Sequence, residues 1–282
     1  MADYCDILLT VDFDRTLTAP DSTIPERNLT AIREFMAKGG TFTVNTGRSL
    51  PMFRRHMAEI PVNAPYLLYN GSGAYDPELQ ELTLCRPIGL DMWEMIGKIA
   101  RFCPDMNVEL QGIDGHYRWG GLPDYGKFYD EQGCNWGFLD KNRDYGTYLK
   151  ASVFGKLREY TVASLFRATP EEMERFAQIE AWLNREFGEY CEVFRSGHRV
   201  IDIHAKGVSK ANAARSLQKR LGKKILVCVG DAKNDLGMLV DADYAYCPAD
   251  GVIADRFENV CQCAQGAVAD VIYKKIPEIL GK

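Results

Sequence analysis

The segment Leu8–Thr18 reads LLTVDFDRTLT and sets two carboxylates, Asp12 and Asp14, one residue apart at the end of an apolar run. In extended backbone such residues share a face, and carboxylates held together repel until they share a proton or bind a cation. Both outcomes serve phosphoryl transfer. One carboxylate can act as nucleophile and metal ligand, while its neighbour, kept protonated, gives a proton to the leaving oxygen and later takes one from water. Alone, a pair of this kind is more often a solvated turn after an edge strand.

Three further clusters change that reading. In VNTGR, Thr46, Gly47 and Arg48 follow a strand-like run, and a hydroxyl with free backbone N–H groups before a helix can hold phosphate oxygens, although alone this segment is more often a turn with a helix cap. In GVSKANAARSL, Lys210 opens a helical pattern and can place a point charge on a phosphate, although taken singly such a residue is more often a surface lysine. In VCVGDAKNDLGML, Gly230 and Asp231 close an apolar strand and Asn234 and Asp235 fall on the next turn. Hard oxygen donors of this kind suit magnesium, which takes one or two carboxylates together with waters and a substrate phosphate. The histidines at 56, 116, 198 and 204 show no metal-ligand spacing.

Strands and helices must alternate to bring these clusters together. Ile7 to Val11, Thr41 to Asn45 and Tyr66 to Tyr69 read as strands, with helices near Pro25 to Lys38 and Pro51 to Glu59 between them. The alternation returns with a helix from Lys210 to Leu221, a strand from Ile225 to Val229, a short helix after Asn234, a strand near Tyr244 to Tyr246 and a last helix ending near Leu280. Both ends therefore look like halves of one open parallel sheet, whose ligands sit at the carboxyl ends of the strands. Between them the texture changes. All four tryptophans lie there, and Thr169, Pro170, Glu171 and Glu172 open a strong helix. The expected pieces are 1–85 (core), 86–197 (inserted α+β domain) and 198–282 (core).

Bulk properties exclude several classes. A net charge of -5 with no basic stripe argues against nucleic acid. No apolar stretch approaches the roughly 18 residues of a membrane span, and the first residues, MADYCDILLTVDFD, carry acid where a signal peptide carries positive charge. Nine cysteines without a CxxC pair read as reduced thiols of a cytoplasmic protein. Its expected partner is a small phosphorylated metabolite, and the chain itself is expected as a monomer or homodimer.

The order of the four clusters, each at a strand end or helix start, resembles the haloacid dehalogenase superfamily, in particular its Cof-type sugar-phosphatase branch, over essentially the whole chain. The resemblance implies a Rossmann-like α/β core with an inserted C2-type cap, and a magnesium-dependent phosphatase working through an aspartyl-phosphate. It implies Asp12 as nucleophile and metal ligand and Asp14 as general acid/base, with the backbone carbonyl of Asp14 completing the magnesium site. Thr46, Gly47, Lys210 and Asn234 would bind phosphate, and Asp231 and Asp235 would serve the metal. The turn Asn70 to Gly73 matches a further family signature. The gap from Asp14 to Thr46 has room for little beyond one helix, whereas that from Thr46 to Lys210 holds a whole domain, the cap position of this branch. Arg15 departs from the pattern, standing where the branch usually has glycine. A phosphomutase using the same intermediate, or a non-catalytic phosphate-responsive regulator, are the alternatives.

Overall fold

The residues of Ile7–Val11 are β-branched or leucine throughout and all buried, the signature of a parallel strand covered on both faces. In the computed structural model, which describes residues 3–120, 125–142, 147–155 and 168–281, this run is β1. It is followed in chain order by β2 (Thr41–Val44), β3 (Tyr66–Leu68), β4 (Gly73–Asp76), β5 (Glu81–Cys85), β6 (Met106–Gly112), β7 (His116–Trp119), β8 (Trp136–Phe138), β9 (Tyr148–Gly155), β10 (Cys191–Gly197), β11 (Val200–Ala205), β12 (Ile225–Val229), β13 (Tyr244–Pro248) and β14 (Glu258–Val260). The described chain divides into two compact units. The first comprises Met1–Gly47, His56–Leu84 and Ser209–Lys282, the second Arg48–Arg55 and Cys85–Val208.

The first unit is built on a sheet of order β14-β13-β12-β1-β2, parallel throughout. Leu8, Leu226 and Cys228 of its central strands pack on Ala214 and Leu217 of the helix Lys210–Arg220 and on Met238 and Leu239 of the helix Leu236–Asp241. The helix Glu26–Ala37 contributes the buried side chains Leu29, Ala31, Ile32 and Phe35. A small sheet β3-β4-β5 follows, and β3 is tied to the main sheet by a parallel bridge from Asn45 to Leu67.

The second unit carries a sheet of order β10-β11-β9-β6-β7-β8. One face is apolar: Val108, Leu110, Ala151, Val153, Ile201 and Ile203 form one core with Met95, Ile96 and Ile99 of the helix Met92–Phe102 and with Phe176, Ile179, Leu183 and Phe187 of the helix Pro170–Phe187. Strand alternation turns Asn107, Glu109, Gln111, Lys150, Ser152, Asp202 and His204 to the other face, and these are buried too. The stripe Phe176, Ile179, Trp182, Leu183 behaves as its spacing predicts, except that Trp182 is only partly buried and stacks on Phe102 with centroids 4.2 Å apart.

Residues 198–208 stand with the second unit, not with the third expected piece, because β11 pairs on both sides within that sheet, with β10 and β9. The helix expected over Pro51 to Glu59 shortens to Leu50–Phe53 and a 3-10 turn Arg54–His56. The helix opened by Thr169 is held by a reciprocal cap: the Thr169 hydroxyl accepts from the N–H of Glu172 (3.3 Å) and the Glu172 carboxylate from the N–H of Thr169 (2.8 Å). Thr169→Ala should therefore cost about 1 kcal/mol of stability, read as a lower urea midpoint with an unchanged slope; an unchanged midpoint would remove the cap from the stability of this helix.

Candidate active site

The parallel register places Val11 opposite Val229 on one side and Val44 on the other, so the residues that follow all three strands lie at one end of the sheet. Asp12 N–H donates to the Val229 carbonyl (2.9 Å) and Asn45 N–H to that of Val11 (2.8 Å), which carries the sheet one residue further and fixes Asp12 at its rim. The chain then turns sharply. Asp14 keeps extended backbone (φ -71, ψ 123), and Arg15 is left-handed (φ 60, ψ 13), with its N–H donating to Thr18 Oγ1 (3.1 Å). The glycine-type bend expected at Arg15 is thus present in an arginine, at a cost of about 1–2 kcal/mol.

Lys210 is the first residue of its helix, whose start is set by Ser209 Oγ accepting from Asn212 N–H (3.0 Å) and by Asn45 Nδ2 donating to the Lys210 carbonyl (2.9 Å). The residue is 2 % exposed, and its ammonium donates in a short bond to Asp12 Oδ1 and at 2.6 Å to Asp235 Oδ1. The second oxygen of Asp235 accepts from the N–H groups of Asp231 (3.1 Å) and Ala232 (3.0 Å), so this fully buried carboxylate is locked on both sides. Asp231 Oδ1 accepts from the Thr16 hydroxyl (3.3 Å).

Ligand atoms of Asp12, Asp231 and Asp235 all lie within 4.8 Å of one another. Ionised, these acids carry three negative charges and Lys210 returns one, leaving the charge that one magnesium ion would neutralise. Burial above all, and then the Asp235, Asp231 and Asp14 carboxylates, push Asp12 well above the usual carboxylate range against the pull of Lys210. Burial and Asp235 push Asp231 up to about 7, opposed by Lys210, Thr16 and Arg15. Lys210 is itself raised, because its two carboxylate partners outweigh its burial. A hard-oxygen site with net negative charge of this kind fits a divalent cation. The Asp14 side chain stands outside this group of three.

Of the phosphate candidates, Thr46 is buried, donates its N–H to the Leu67 carbonyl (2.9 Å) and accepts from Asn70 N–H (3.0 Å). It is thereby tied to the turn after β3, where Tyr69 and Asn70 are left-handed (φ 53 and 54). Asn234 is half-buried in the 3-10 turn Lys233–Asp235. Two supporting residues escaped the sequence reading: Thr16, which holds Asp231, and Asn45, which holds the start of the Lys210 helix. The threonine in DFDRT was the available signal for the first; the asparagine closing TFTVN was the signal for the second.

The profile of the haloacid dehalogenase-like hydrolases matches residues 9–252. The chain is 21% identical over 269 residues to the HMP-PP phosphatase of Serratia proteamaculans, covering 93% of this chain and 92% of that one. It is 24% identical over 240 residues to the 5-amino-6-(5-phospho-D-ribitylamino)uracil phosphatase of Bacillus subtilis, covering 83% and 80%. The fold is similar to that of a haloacid dehalogenase-like hydrolase from B. subtilis, with a TM-score of 0.76 at 16% identity over 95% of this chain and 99% of the other.

Two outcomes follow from the geometry. Arg15→Gly should fold with stability within about 1 kcal/mol of the parent, since relief of the left-handed arginine is offset by the entropy of glycine. Arg15→Val should lose at least about 2 kcal/mol, because a β-branched residue tolerates this backbone worst; equal stabilities in urea would count against the left-handed turn. The folded value of Asp231 lies above its ordinary 3.8, so the fold resists its ionisation. The contribution of Asp231 to the stability of the metal-free protein is then fully present below about pH 4, is lost as pH rises through about 7, and is restored by a cation. The gain in melting temperature on adding magnesium should therefore grow from pH 5 to pH 8; a gain independent of pH would sink this account of Asp231.

Proposed function

Because the chain belongs to the family of haloacid dehalogenase-like hydrolases, we propose that it is a magnesium-dependent phosphatase that hydrolyses a small phosphate monoester through an aspartyl-phosphate on Asp12. The observation that carries the proposal is the buried cluster of Asp12, Lys210, Asp235 and Asp231 at the carboxyl end of a parallel sheet. The phosphatase names of the two relatives support the reaction class.

In this reading Asp12 Oδ attacks phosphorus as the ester P–O bond breaks, and Asp14 gives its proton to the departing oxygen. Asp14 then takes a proton from water as the water oxygen attacks the same phosphorus, releasing inorganic phosphate and restoring the Asp12 carboxylate. Lys210 holds Asp12 in place and offsets charge on the transferring group, while Thr46, Gly47 and Asn234 receive its remaining oxygens. Asp12, Asp231, Asp235 and the Asp14 carbonyl would hold magnesium, which supplies charge neutralisation on the phosphoryl oxygens. Thr16 acts one step back, fixing the Asp231 carboxylate. The second unit serves as the cap, and the expected substrate is a sugar phosphate or a related phosphometabolite.

The test is release of inorganic phosphate from sugar phosphates, nucleotides, and flavin and pyridoxal phosphates, with magnesium and with chelator. Turnover should need the metal, and Asp12→Asn should lower kcat by at least about 10⁴. Activity retained in that variant would remove Asp12 as nucleophile, and isomerised ester in place of free phosphate would make the enzyme a mutase.

A further inference from the structure

Residues Arg48–Arg55 cluster with the second unit, yet Gly47 before them and His56 after them belong to the first. We propose that this segment is a strap by which the second unit holds the phosphate-binding loop at Thr46 and Gly47, and that His116 and Glu109 are positioning residues acting through Ser49. The role of the loop rests on the phosphatase reading; the strap rests on the contacts that follow.

Within the second unit the segment is gripped at three points. Ser49 Oγ lies 2.7 Å from His116 Nε2, and His116 Nδ1 lies 3.0 Å from Glu109 Oε1. Glu109 also accepts from the Tyr129 hydroxyl and from Gln111 Nε2 (2.7 Å). An ionised carboxylate only accepts, so in the neutral ring Nδ1 carries the hydrogen toward Glu109 and Nε2 accepts from the Ser49 hydroxyl. Ser49, His116 and Glu109 are all buried. The order serine, histidine, acid is that of a nucleophilic triad, but Ser49 is fully enclosed and its oxygen also accepts from Met52 N–H (3.3 Å), capping the short helix Leu50–Phe53. This serine is an anchor. Met52 packs against the cluster of Tyr129, Cys134 and Phe154, and Arg55 Nη1 donates to the Glu131 carbonyl (3.0 Å).

Both ends of the strap are fixed beside the proposed catalytic groups. A Cβ on Gly47 would come within 2.9 Å of Asn70 Oδ1, so the chain leaves Thr46 pressed against the turn after β3 and only glycine fits there without displacing Asn70. At the far end the His56 ring sits 4.8 Å from that of Phe13, the neighbour of Asp12. A shift at Ser49 therefore passes along a few covalent bonds to Thr46, and one at Arg55 to His56, whose ring lies against Phe13. A hydrogen bond between two buried side chains of the second unit thus bears on groups it never touches.

The experiment uses the full chain with His116→Ala, Ser49→Ala and His116→Gln, reading hydrogen exchange by mass spectrometry and binding of inorganic phosphate in magnesium by calorimetry. Both alanine variants should speed exchange over residues 46–56 and weaken phosphate about tenfold, the scale of one buried hydrogen bond, while β6 and β9 keep their protection. His116→Gln, whose amide can still reach Ser49, should recover most of both. Unchanged exchange over 46–56 in Ser49→Ala, which removes a single hydroxyl and is the variant surest to fold, overturns the strap; so does faster exchange at unchanged phosphate affinity. The exchange reading needs no turnover, so it stands or falls separately from the phosphatase assignment.

Discussion

One ammonium group, that of Lys210, stands between two carboxylates in the interior of the first unit, and most of the surrounding structure follows from the cost of keeping it there. A buried lysine without partners would lose its proton or unfold its surroundings. Asp12 and Asp235 prevent this, and removing one partner of such a pair typically costs about 3–5 kcal/mol. Each partner is in turn held by backbone. Asp12 is hydrogen-bonded to β12 through its own N–H, Asp235 by two N–H groups of the turn after β12, and Lys210 by the start of a helix that Asn45 and Ser209 define. The parallel sheet is the frame that brings these separate stretches of chain to one rim.

The cluster overshoots neutrality, and that excess is its chemical content. Were the acids and bases matched, the site would be a buried salt bridge with no preference for a cation. A third carboxylate, Asp231, held by Thr16, leaves negative charge that the fold alone does not balance. Burial raises Asp12 and Asp231, the direction that a bound cation reverses, so folding leaves strain that binding relieves.

How much of this was legible depended on whether a residue acts through its type or through its neighbours. The runs Ile7–Val11 and Ile225–Val229 could be read as central strands because burial on both faces leaves no charged position in them and Thr10 as the one hydroxyl. Asp12, Lys210, Asp231 and Asp235 were legible as candidates because the proposed nucleophile, cation and metal ligands would demand those side chain types, and the structure brings all four together. Thr16 and Asn45 were not, since each works through one tertiary hydrogen bond that no spacing announces. The edge of the inserted unit was hidden for a similar reason: VIDIHA alternates as a strand whichever sheet it joins, and only its pairing with β9 and β10 settles the matter. The segment after Thr46 looked like an ordinary helix, and its attachment to His116 across a gap of 67 positions leaves no local mark.

The two units exchange the chain at four places, after residues 47, 55, 84 and 208. An insertion crossing only twice could be lifted out and replaced as a cassette. Here a second, shorter excursion comes before the long one, and it carries Ser49 and Met52, which meet His116 and the cluster of Tyr129, Cys134 and Phe154. A transplant of residues 85–208 alone would leave these two side chains facing nothing they were selected to meet. The inserted unit and the segment after Thr46 therefore form one exchangeable piece, and a transplant must carry the stretch that begins one residue beyond Gly47.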